Sequence, residues 1–287
     1  RFSPAVVYDG DTPVEYASVP LTCYEGKGYR RETFESISTL LENYYASRDT
    51  ITRIRQKSSD LRRIVQTALE RSCKKYDLQL KQLKDTEKRE KYRIYGELLN
   101  TYGYELKGGE KSFKCINYYD NEEITIPLDP QLTARENAQK HFDKYNKLKR
   151  TYEALSQLTM ETKAEVDHLE SVSSALDIAL EENDLVQIKE ELMEFGYVKK
   201  RRANEKRPKI TSKPFHYISS DGYDIFVGKN NYQNEELTFK VASGNDWWFH
   251  AKGIPGSHAI VKSNGQADLP DRVFEEAGAL AAYYSKG

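Results

Sequence analysis

The densest chemical constellation in the sequence is His250-Ala-Lys-Gly-Ile-Pro-Gly-Ser-His258, which follows directly on Asp246-Trp-Trp-Phe249. As a metal site it is poor. Two histidines with seven residues between them lack a nearby third ligand and lie across a Pro-Gly turn. Nucleophilic catalysis fares no better: Ser257 and His258 are adjacent, and neighbours in a strand point to opposite faces, which parts hydroxyl from imidazole. Trp247, Trp248 and Phe249 fit packing more readily than a base-stacking platform. What remains is a turn at Pro255-Gly256 with polar groups around it that present a recognition surface. A second constellation is electrostatic. Residues 199–213 hold eight Lys and Arg against one Glu, a net of +7. This segment reads as a solvated charged spacer or, more sharply, as a contact to phosphates.

The elements that must position these groups are mostly helical. Phe34, Ile37, Leu40, Leu41, Tyr44 and Tyr45 make one apolar face from Thr33 onward. A longer helix is expected from about Asp49 to Tyr102. Ile51, Ile54, Ser58, Leu61, Val65, Ala68 and Ser72 step by threes and fours, and Tyr76, Leu80, Leu83, Ile94 and Leu98 continue the stripe with gaps. Residues 103–128 break the period. Two short alternating runs around Asp120-Asn121 predict a β-hairpin. Thr133-Ala-Arg-Glu136 has capping-box form and opens a second long stripe from Ala138 to Ala179. Asn183 or Asp184 is expected to cap a further helix ending at Phe195-Gly196. Two long helices joined by a short hairpin should pack antiparallel, each burying the other's stripe.

The flanks read differently. Residues 1–30 are strand and loop, too little to bury a core, and look like the trailing edge of a domain. From Pro214 the chain turns β-rich, with a helix expected at Arg272–Tyr284, and this last region also reads as truncated. The fold class expected is therefore α+β: a long antiparallel two-helix coiled-coil arm (31–198) with a β-hairpin at its tip, a basic linker (199–213), and a small mixed α/β domain (214–287).

Composition agrees with an extended arm. Of 287 residues, 38% are hydrophobic and 31% charged, a more polar balance than one compact core of that size requires. The net charge of −1 conceals a strong polarisation. Residues 48–93 carry 15 basic against 7 acidic side chains, while residues 161–194 carry 2 against 11. Near-neutrality therefore does not argue against a nucleic-acid partner. Three widely spaced cysteines provide neither a disulfide framework nor a zinc knuckle, which suits a reducing compartment. No apolar run approaches the length of a membrane span.

Several segments resemble a known family. Asp246-Trp-Trp-Phe-His-Ala-Lys-Gly-Ile-Pro-Gly-Ser-His258 is similar to the signature of the NFACT-R domain, and Asp221-Gly-Tyr-Asp-Ile-Phe-Val-Gly-Lys-Asn-Asn231 to its upstream element. Gly96-Glu-Leu-Leu99, Asn117-Tyr-Tyr-Asp120, Ile126-Pro-Leu-Asp129 and the stretch from Asn137 to Lys149 resemble the family's coiled-coil segment. The resemblance covers most of residues 92–287, in the right order, and points to the bacterial, RqcH-type branch of the NFACT family.

It implies a factor of ribosome-associated quality control that binds the large ribosomal subunit carrying a stalled peptidyl-tRNA. It also implies recruitment of alanyl-tRNA for C-terminal tailing of the nascent chain, with rRNA and tRNA as partners. The peptidyl-transfer chemistry belongs to the ribosome, so no catalytic residue, metal or cofactor is expected, and the location implied is cytoplasmic. RNA- or ribosome-binding candidates are Lys199, Lys200, Arg201, Arg202, Lys206 and Arg207 in the linker. Lys229, Asn230, Trp247, His250, Lys252, Ser257 and His258 join them in the last domain, with Lys111, Lys114, Tyr118 and Tyr119 at the arm tip. Self-association through the arm is a further expectation. The family's alternative label, fibronectin-binding protein, implies a surface adhesin binding fibronectin. A hydrolase built on His250, Ser257 or His258 ranks last.

Overall fold

The structure, a computed structural model, describes residues 2–10, 12–200, 208–266 and 268–286. In chain order the elements are strands β1 (Ala5–Asp9), β2 (Thr12–Ala17) and β3 (Arg30–Thr33), then helices α1 (Ile37–Asp85) and α2 (Arg89–Tyr102). The hairpin β4 (Ser112–Ile116) and β5 (Glu123–Pro127) follows, then helices α3 (Ala134–Ile178) and α4 (Glu182–Glu194). The last region holds β6 (Phe215–Ile218), β7 (Asp224–Val227), α5 (Asn231–Glu236), β8 (Trp247–Phe249), β9 (Ala259–Val261) and α6 (Asp271–Tyr283). Two compact units divide the chain: residues 1–69 with 167–287, and residues 70–166.

In the first unit, β1 is the centre of a three-stranded antiparallel sheet, flanked by β2 and β3. The segment expected to be too short for a core has one, because Val6 and Tyr8 pack on Leu40 and Tyr44 of α1. Those α1 residues do not form a separate short helix, as the sequence suggested. They open a single 49-residue helix, whose apolar stripe keeps its phase from the sheet into the seam. There Ile54, Leu61 and Val65 meet Leu169, Val172 and Leu176 of α3 and Leu185, Ile188 and Leu192 of α4. The pairing is antiparallel, and Arg62 is locked across it on Asp177 and the Leu176 carbonyl. The cap of α4 also differs from expectation. Glu181 is the N-cap, and Asp184 is the reciprocal member of the capping box, its carboxylate accepting from the Glu181 N–H at 3.1 Å.

The rest of this unit is a four-stranded antiparallel sheet in the order β6-β7-β9-β8. One face, carrying Ile225, Val227, Ala259 and Val261, is covered by Val273, Ala277 and Ala281 of α6.

In the second unit, α2 and the distal part of α3 run antiparallel beneath the hairpin. The Arg89 guanidinium sits 3.9 Å from the Tyr152 ring centroid, and His141 packs edge-on to Tyr95 at 5.3 Å. Phe113 and Ile126 of the hairpin close this core over Tyr95, Leu98 and Leu99. Asn121 takes the left-handed conformation at the hairpin turn (φ 60°), a geometry Asn tolerates. Thr133 and Glu136 form the expected capping box. Sequence phase slips at one place: Leu80 is 40% exposed while Gln79 is buried. A 3-10 turn at Thr86–Lys88 then resets the stripe, tightening the helix by a fraction of a turn. The hydroxyls buried along this stripe turn inward on their own helix, as Thr159 does to Leu155 and Thr162 to Leu158.

Candidate nucleic-acid interface

The sequence brings the two signature segments of the last domain together, but it gives most of their polar residues a structural task. Asp184, Gln187, Glu191 and Glu194 recur at helical spacing along one face of α4. Four consecutive residues dock on that face. Lys229 extends its ammonium to 3.3 Å from Asp184 Oδ1 and 4.6 Å from the Phe215 ring centroid. Asn230 caps α5 by accepting from the Gln233 N–H and donates to Gln187 Oε1 at 2.9 Å. Asn231 donates to Glu191 Oε1 at 2.6 Å, an oxygen shared with His168 Nε2 at 2.8 Å. Tyr232 donates to Glu194.

This corrects two expectations: Lys229 and Asn230 are buried, 8% and 3% exposed, and face α4 instead of an RNA. A buried charge survives only when it is paired. Asp184 supplies the pair while also accepting from Leu180, Glu181 and Ser212.

Asn234, one turn further on, ties this element to the second signature. It accepts from the His258 N–H at 3.0 Å and donates to the Gly256 carbonyl at 3.1 Å. Gly256 faces Ser285 so closely that a Cβ there would lie 2.9 Å from the Ser285 Cα. Ser257, a third candidate, is likewise buried at 2% exposure, its N–H donating to the Tyr284 carbonyl. Asp246, buried at the entry to β8, organises the preceding turn. It accepts from the Ser243 N–H and hydroxyl, the Ser263 N–H and the Lys262 ammonium. Burial pushes its carboxyl pKa up, but Lys262 and these donors outweigh that and hold it well below the usual range.

What this scaffold leaves at the surface is an aromatic and imidazole cluster. Strand alternation sends Trp247 to the α6 side, edge-on to Phe274 at 4.9 Å, and Trp248 to the other face. Trp248 remains 49% exposed. Its ring stacks on His250 at 5.7 Å and meets His258 edge-on at 5.1 Å, and the two imidazoles lie 5.2 Å apart. His258 Nδ1 is 2.7 Å from Thr238 Oγ1. Burial, with the nearby His250 charge second, lowers the His258 pKa, so this ring is neutral at neutral pH.

Thr238 belongs to a π-helical turn, Leu237–Val241, which also presents Phe239 at 80% exposure. Neither residue is singled out by the sequence. A π turn has no periodic signature, and the only signal available is one unpaired large aromatic. Register places Phe226 and His216 on the same sheet face as Trp248, where they stack at 4.7 Å.

Lys252 is exposed beside this cluster, and Lys199 and Lys200 are exposed after α4. Arg201, Arg202, Lys206 and Arg207 lie outside the described residues. At the arm tip, Lys111 and Lys114 are exposed, and Lys114 reaches Glu123 at 3.7 Å. Tyr119 donates to Glu97 at 2.5 Å, accepts from Arg93 and packs on Tyr118 at 4.7 Å. Among the described residues no group of three His, Cys, Asp or Glu is placed to hold a metal ion. No helix among them is long and apolar enough to cross a membrane.

Comparison with known proteins decides what this scaffold is. Residues 1–211 match the NFACT N-terminal and middle domains, and residues 213–287 match the NFACT protein RNA binding domain. The chain belongs to the NFACT family. It is 43% identical over 277 residues to the Rqc2 homolog RqcH of Streptococcus suis strain 05ZYH33, covering 96% of this chain and 49% of that protein. The Rqc2 homolog RqcH of Bacillus subtilis strain 168 is 36% identical over 270 residues, 93% of this chain and 46% of that one. This NFACT chain thus spans about half the length of the curated relatives it matches. Among solved structures, the C-terminal part of the fibronectin/fibrinogen-binding protein from Streptococcus suis superposes with a TM-score of 0.62. It is 39% identical, with 82% of this chain and 79% of that one covered.

Proposed function

We propose that this NFACT chain is the arm and RNA-binding part of a ribosome-associated quality-control factor. In that role it engages the large ribosomal subunit holding a stalled peptidyl-tRNA and supports tRNA recruitment for alanine tailing of the nascent chain. No catalytic group is assigned to it. The observation that carries the RNA contact is the half-exposed Trp248 ring beside His250 and His258, on a domain matched as RNA-binding. An exposed indole flanked by imidazoles offers a stacking face and hydrogen-bonding edges to an unpaired base, and Lys252 adds charge for the adjoining phosphate. Co-sedimentation of the chain with purified 50S subunits across a salt series tests the reading. Association at low salt that falls steeply as salt rises is expected, and Trp248→Ala should weaken it about tenfold or more without lowering the melting temperature. Absence of association at low salt defeats the proposal.

A second reading, fibronectin binding at the cell surface, is favoured by the name of the solved Streptococcus suis relative. Saturable binding of the chain to immobilised fibronectin, together with detection of the full-length protein on intact cells, tests it.

A further inference from the structure

The arm's charge is not spread evenly along the second unit. Residues 94–139, which make the tip, hold four Lys and Arg against eight Asp and Glu. Residues 85–93 and 140–152, the turns of α2 and α3 just below it, hold nine against four. We infer that the arm meets an RNA backbone at this basic collar, on the face where Lys91, Lys144 and Lys147 converge, and not at its tip. The inference rests on the RNA reading above and moves the arm's contact away from the residues first assigned to it.

The geometry of the collar carries the claim. Lys140, Lys144 and Lys147 follow one another at four- and three-residue spacing on α3, one stripe rising about 10 Å. Lys144 leans across to α2, its ammonium 4.2 Å from the Tyr92 ring centroid, and Lys91 stands 5.3 Å from the Tyr95 ring centroid on the same side. Tyr92 in turn stacks parallel to His141 at 6.1 Å. Two helices thus bring their lysines to one aromatic-floored surface. Lys140 is held by Asp129 at 2.8 Å, whereas Lys91, Lys144 and Lys147 form no ion pair among the described residues. Unneutralised, clustered ammonium groups are what a polyphosphate displaces counterions to reach. At the tip the opposite holds. Lys114 already faces Glu123, Tyr119 is bound to Glu97, and the surplus of carboxylates repels phosphate.

The test uses the whole chain with two probes, transcribed 23S rRNA and deacylated tRNA, in filter binding across a salt series. The triple variant Lys91→Glu/Lys144→Glu/Lys147→Glu should lose at least about tenfold in affinity. It should also cut the slope of log K against log salt by about two to three, since each phosphate contact contributes roughly 0.7–0.9. A larger loss on 23S rRNA places the collar on the ribosome, and a larger loss on tRNA places it on the recruited tRNA. The tip pair Lys111→Glu/Lys114→Glu should change affinity less than about twofold. A triple variant that binds like the parent, or a tip pair that loses more, overturns the collar while leaving the RNA reading intact. A parent chain with no salt-dependent binding to either RNA overturns both. If circular dichroism shows the triple Glu variant unfolded, the milder Lys→Gln triple must still reduce the slope.

Discussion

Two regions of the last domain both carry side chains suited to contacting an RNA and end with opposite properties. Lys229, Asn230 and Asn231 form a polar ladder against α4, while Trp248, His250 and His258 gather in a partly exposed cluster in which Thr238 and Asn234 hold His258. A lysine followed by two asparagines suits a phosphate-binding turn as well as a docking strip. What separates the two outcomes is the partner face. Helix α4 presents Asp184, Gln187 and Glu191 in phase with the strip, so every buried donor finds an acceptor. Trp248 meets no such face. Polar residues grouped in sequence therefore do not by themselves mark a ligand site, because a complementary helix elsewhere in the chain can claim them first.

The contrast is most severely tested by breaking the ladder. Lys229→Ala strands the Asp184 carboxylate in a buried site and should cost about 3–5 kcal/mol of stability in urea unfolding. The double variant Asp184→Asn/Lys229→Met should recover part of that loss. A single variant as stable as the parent would return Lys229 to the list of surface contacts. Trp248→Ala should do the reverse, lowering RNA affinity by about 1–3 kcal/mol with an unaltered melting temperature.

A third prediction concerns the arm. Gln79 is buried and its Oε1 has no hydrogen-bond donor among the described residues, so Gln79→Leu should stabilise the chain by about 1–3 kcal/mol, read as a raised melting temperature. The smallest effect is pH dependence. The folded-state pKa of His258 lies below the ordinary imidazole value of 6.5, so the unfolded chain binds the proton more readily. The stability this contributes is complete above about pH 6.5 and is lost as pH falls toward the folded pKa. His258→Gln should flatten that part of the stability–pH profile, provided His141, whose pKa burial also lowers, is left in place as an internal control.

Much of the fold is legible in the sequence. The steps of three and four in α1 and α3, the Thr133–Glu136 box and the Asp120-Asn121 turn are local patterns. Their physical basis, helical periodicity and turn stereochemistry, acts between near neighbours in sequence. The errors fell where distant contacts decide. Residues 1–30 acquire a core because α1 lends them Leu40 and Tyr44. The stripe slips to Gln79 before the 3-10 turn at Thr86–Lys88 resets it, and Asp184, besides its place in the cap, receives the Lys229 ammonium from 45 residues away.

The same division governs function. Sequence alone determined the family resemblance, the two-helix arm and the segment that contains the recognition residues, since each is written in spacing and residue type. Only the tertiary structure decided which of those residues face outward. Burial depends on what packs opposite, and for Lys229, Asn230 and Ser257 the opposing surfaces come from α4 and the end of α6, elements that no local pattern pairs with them.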